Sequence, residues 1–144
     1  MVRVAQLGIV VGLIGVVVTL VALFPTLIGV RLTPGIGVLQ ILVLIVGLIL
    51  LILGALLYVR FTFYAHQTLT LWQQIGVRLA FTGLTFAAMA ALADVLGFGS
   101  NLRMNDEDVL LGPIQLIGIL ASFGVASLGV VVFAVAGDPT LTEE

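Results

Sequence analysis

The chain has 144 residues, 62% hydrophobic and 8% charged, with a net charge of −2 at pH 7 and no cysteine. Soluble domains are roughly 25% charged, so a soluble fold would leave apolar surface facing water and is excluded. The missing cysteines exclude thiol redox relays, cysteine-ligated clusters and palmitoylation, and with no basic tract a nucleic-acid partner is not expected.

Charged side chains stand at the edges of long apolar runs. Residues 4–30, 32–59, 79–93 and 109–137 hold none. A hydrocarbon core ~30 Å thick takes about 20 helical residues to cross. The expected fold is therefore all-α: an antiparallel four-helix transmembrane bundle with left-handed packing. It forms a single domain over 1–144, with no sizeable soluble part.

Helix 1 is expected over 4–30, a run too long for the ~7–15 apolar residues of a signal peptide, and so a retained span. Pro25 removes one backbone hydrogen bond and predicts a kink near Leu23–Phe24. Thr33 as N-cap and Pro34 as first helical residue start helix 2, expected over 34–64. So short a connection makes helices 1 and 2 antiparallel neighbours.

Helix 2 ends among Tyr58, Phe61, Phe63 and Tyr64, with Trp72 opening the next helix, an interfacial aromatic cluster. Thr70-Leu71-Trp72-Gln73 fits a capping box for helix 3, expected over 71–97. The polar loop Ser100–Asp108 leads to helix 4, expected over 113–136. Gly137 and Pro139 close that helix before an acidic tail over 138–144.

Small residues form the strongest pattern. In helix 1, Gly8, Gly12, Gly15, Thr19, Ala22, Thr26 and Gly29 recur at alternating steps of four and three. Helix 3 repeats the steps with Gly76, Ala80, Gly83, Ala87, Ala90, Asp94 and Gly97. Gln40, Gly47 and Gly54 follow sevenfold spacing in helix 2, and helix 4 adds Gly118, Ser122, Val125 and Gly129. In lipid, close backbone approach is a main source of helix–helix attraction. Such faces are expected chiefly inside the bundle, with contact to another protein as the alternative. The two long stripes correspond position by position, a hint of a 2+2 duplication that nothing outside the stripes extends.

Asp94 is the one acid within a span, sixteen residues beyond Arg78 or ~24 Å along the helix. A carboxylate so near the helix end is expected to pair with Arg31 or Arg103 at the interface. With Gln40, Gln115 and Thr26 it defines a candidate polar layer, expected to act as structural glue through backbone carbonyls. His66, the single histidine, lies in a loop without the ligand company of a metal site. No catalytic, cofactor-binding or metal-ligating set is identified. The size and span number match small multidrug resistance transporters, but helix 1 lacks a membrane-embedded glutamate.

Function is thus expected to be noncatalytic: a small accessory or assembly subunit of a larger membrane complex, with partners in the bilayer, other membrane subunits or itself. The alternatives are a homo-oligomeric carrier or channel around Asp94 and a lipid-, quinone- or pigment-binding module. Arg3, Arg60 and Arg78 outnumber Arg31 and Arg103, which places both termini in the cytoplasm. A prokaryotic cytoplasmic membrane is the expected location.

Overall fold

The computed structural model describes residues 2–29, 38–93 and 113–137. Its four helices are α1 (Val2–Leu23), α2 (Val38–Phe63), α3 (Leu71–Leu92) and α4 (Pro113–Val135). Each contains a stretch of 21 to 25 residues apolar enough to cross a membrane. At 1.5 Å per residue these stretches reach about 30 Å or more, the thickness of the hydrocarbon core. The protein is an all-helical membrane bundle.

Two helix ends show how local chemistry sets the elements. The expected kink in helix 1 is instead a stop. A proline crowds the residue before it out of the α region, and Phe24 sits at φ −127° and ψ 70°. Pro25–Ile28 form a single 3-10 turn that closes on Gly29 at φ 74°. Thr26 and Gly29 therefore fall beyond the α-helix whose small face they were expected to extend. The start of α3 follows the expected capping box: Thr70 Oγ1 accepts from the Gln73 amide, and the Thr70 amide donates to Gln73 Oε1. The helix start at Thr33–Pro34, the last turns of helix 3 from Asp94, the loop Ser100–Asp108 and the acidic tail lie outside the described residues.

The helices pack as two antiparallel hairpins. α1 runs along α2, and α3 along α4. Among the described residues α1 comes within packing distance of no other long helix, whereas α2 also meets α3 and α4. The join between hairpins holds two apolar clusters. Near the 64–70 connection, Ile52, Leu56 and Tyr64 pack with Ala80, Leu84 and Phe133. Toward the other end, Ile41, Ile45 and Leu48 pack with Ala91 and Ile119. Most of the large side chains of α1 are exposed, and among its described residues Gly8, Gly15 and Ala22 are buried.

Candidate functional site: helix seams, polar anchors and an open groove

Each hairpin is held by a seam in which backbone meets backbone. A Cβ placed on Gly8 would lie 2.6 Å from the Tyr58 amide nitrogen and 3.0 Å from the Gly54 carbonyl oxygen. One on Gly15 would strike the Leu51 amide and come within 2.9 Å of the Gly47 carbonyl. In the second hairpin, a Cβ on Gly76 would lie 2.7 Å from both the Phe133 amide and the Gly129 carbonyl. One on Gly83 would be 2.5 Å from the Ala126 amide and 2.6 Å from the Ser122 carbonyl. Real side-chain carbons do not approach so closely, so only glycine allows these helices to touch here.

These contacts are the same contacts, shifted. Moving α1 forward by 68 residues carries Gly8 and Gly15 onto Gly76 and Gly83. Moving α2 forward by 75 carries Gly47, Leu51, Gly54 and Tyr58 onto Ser122, Ala126, Gly129 and Phe133. Every backbone atom met by Gly8, Gly15 and Gly54 has its counterpart among those met by Gly76, Gly83 and Gly129. The same shift carries Gln40 onto Gln115. The two hairpins thus share one seam geometry, and both point the same way along the bundle.

Four polar side chains bond backbone carbonyls at helix ends and in a connection. Gln40 Nε2 donates to the Ala22 carbonyl at 2.6 Å, across the hairpin and in the last turn of α1. Carbonyls there lack intrahelical partners, and the break at Phe24–Pro25 is what leaves Ala22 open to a side chain. At the opposite end Tyr64 Oη donates to the Ala134 carbonyl at 2.6 Å and Thr70 Oγ1 to the Ala136 carbonyl at 3.0 Å. Arg60 closes the α2–α3 connection by donating to the Gln67 carbonyl at 3.0 Å. Gln115 is buried one turn into α4, Thr26 and His66 are exposed, and Asp94 lies outside the described residues. Of the candidate polar layer, the described geometry thus gives Gln40 a backbone anchor.

The first hairpin also carries a concave feature. A groove of about 250 Å³ runs between α1 and α2 over Gly12 and Gly54, walled by Ile9, Val16, Leu51 and Tyr58. It is apolar and open to the surroundings. Sequence reading had no signal for it, because a wall of Ile, Val and Leu looks the same facing lipid, ligand or protein.

Among the described residues no group of three or more His, Cys, Asp or Glu is placed to hold a metal ion. Compared with known proteins, the chain matches no family model, no curated protein and no solved structure at a significant level.

Proposed function

We propose that the protein is a noncatalytic membrane subunit that acts through helix packing, as a small accessory or assembly component of a larger membrane complex, with both termini in the cytoplasm. The observation that carries this reading is the open side of the first hairpin. α1 presents Ile9, Leu13, Val16, Leu20 and Leu23 outward along its whole length, beside a groove that no part of the described chain fills. The polar side chains support it as well: Gln40, Tyr64 and Thr70 hold helix ends together, a structural use. Extraction of a tagged chain in mild detergent, followed by native mass spectrometry, tests the reading. Complexes of more than one polypeptide are expected, and a chain that extracts only as a monomer would overturn it.

One observation favours a second reading, a carrier formed by several copies. Tandem hairpins in parallel orientation are a construction used by membrane carriers. A reconstituted flux lost in Asp94→Asn at unchanged yield would decide for that reading.

A further inference from the structure

We propose that the groove between α1 and α2 is filled by α4 of a second copy of this chain, as the groove between α3 and α4 is filled by α2 within the chain. The inference rests on the packing role above and names the partner.

The two grooves are counterparts. Under the shifts that superpose the seams, Ile9, Val16, Leu51 and Tyr58 correspond to Val77, Leu84, Ala126 and Phe133. These four belong to or pack against the cluster in which Ile52 and Leu56 of α2 are seated. The second groove is therefore closed by α2, and the first stands open.

The filling helix also has a counterpart left over. The face of α2 that enters the second groove corresponds on α4 to Leu116, Leu120, Phe123, Ser127 and Val131; Phe123 packs within the chain, while Leu116, Leu120 and Val131 are exposed. Ile45 and Leu56 are 7% and 8% exposed, while their counterparts Leu120 and Val131 are 61% and 55% exposed. On the receiving side, Leu84 is 7% exposed and its counterpart Val16 is 41%. One chain thus carries a used pair of complementary faces at its centre and an unused pair at its two flanks. A contact that joins the flank of one copy to the opposite flank of the next continues the interface already built inside the chain. Such head-to-tail contacts close into rings when the rotation allows.

Disulfide trapping tests this directly, because the chain has no cysteine of its own. Val16→Cys and Ser127→Cys, the counterparts of Leu84 and Ile52 in one packed cluster, are placed on separately tagged chains and expressed together. Within one chain α1 does not reach α4, so a bond between these positions joins two copies. Oxidation in native membranes is expected to give a band at twice the chain mass carrying both tags. Leu13→Cys with Ser127→Cys is the control, since Leu13 and its counterpart Phe81 are both exposed; this pair should stay monomeric. A Val16 yield no higher than the control's would overturn the proposal. Native mass spectrometry then separates the failures. Complexes with other polypeptides but a single copy of this chain would sink the self-association and leave the packing role standing. A monomer, with or without a lipid seated in the groove, would sink both.

Discussion

The first and second hairpins share a seam and differ in most of what lies outside it. Where backbones touch, the match holds atom for atom: Gly8 against Tyr58 and Gly54, Gly76 against Phe133 and Gly129. Away from those points the residues diverge freely. Leu13 stands opposite Phe81 in the comparison, and Ile49 opposite Gly124. A membrane seam thus constrains only the positions where a side chain would hold two backbones apart. The outer faces follow their surroundings: α2 packs across α3, whereas α1 meets no long helix but α2 among the described residues.

The largest effect should follow from disturbing the seam itself, and the repeat says which glycines matter. A Cβ on Gly54 would strike the Gly12 amide and lie 2.8 Å from the Gly8 carbonyl. A Cβ on Gly12 has its nearest neighbour at 3.8 Å, and the second hairpin already carries Ala80 at that position. Gly54→Ala is expected to destabilise by ~1–3 kcal/mol as an overpacked site. Gly12→Ala should stay within about 0.5 kcal/mol of the parent. The measurement is the unfolding midpoint in mixed micelles of rising SDS fraction. Equal losses for the two variants would show that the first hairpin is not joined through this seam.

That asymmetry between Gly12 and Gly54 was beyond the sequence, although the small-residue series that contain them were not. Alternating steps of four and three mark a small helix face whatever lies opposite, so α1 and α3 were legible. The matching faces of α2 and α4 were only half legible. Tyr58 and Phe133 close the seams through their backbone amides, and a bulky aromatic does not read as a small position. Val125, grouped with the small face of helix 4, is exposed, while Ala126 beside it is in contact with Gly83. Gln115 read as one member of a polar layer, so the hint of duplication in the stripes of α1 and α3 was not extended through Gln40 to α2 and α4. The outlying place of α1 had no signature, since a helix apolar on every side gives no direction to its neighbours. Pro25 was visible, but whether it bends or ends the helix depended on Phe24 leaving the α region.

A smaller effect of opposite sign should come from making the hairpins more alike. Thr19 Oγ1 is buried over Gly47 and has no hydrogen-bond partner among the described residues. Its counterpart in α3 is Ala87, which needs none. An unsatisfied buried hydroxyl costs ~1–3 kcal/mol, partly offset here by the contacts its atoms make. Thr19→Ala is expected to raise the same unfolding midpoint by about 1 kcal/mol. A lowered midpoint would mean that the hydroxyl is bonded within the folded protein.

The smallest effect is expected at Gly124, which shares its helix with the tightly packed Gly129. A Cβ on Gly129 would strike the Ala80 amide and lie 2.6 Å from the Gly76 carbonyl, whereas one on Gly124 meets nothing within 4 Å. Gly124 is exposed, and the residue standing at its position in α2 is Ile49, packed against both clusters of the join. Adding a methyl there therefore disturbs no contact within the chain. What remains is the backbone term: alanine favours a helix over glycine by up to about 1 kcal/mol. Gly124→Ala should leave the midpoint unchanged or raise it slightly, while Gly129→Ala lowers it by ~1–3 kcal/mol as at Gly54. If both variants shifted alike, glycine content in α4 would matter through helix propensity alone. The close approach of α3 and α4 would then contribute nothing to holding the second hairpin together.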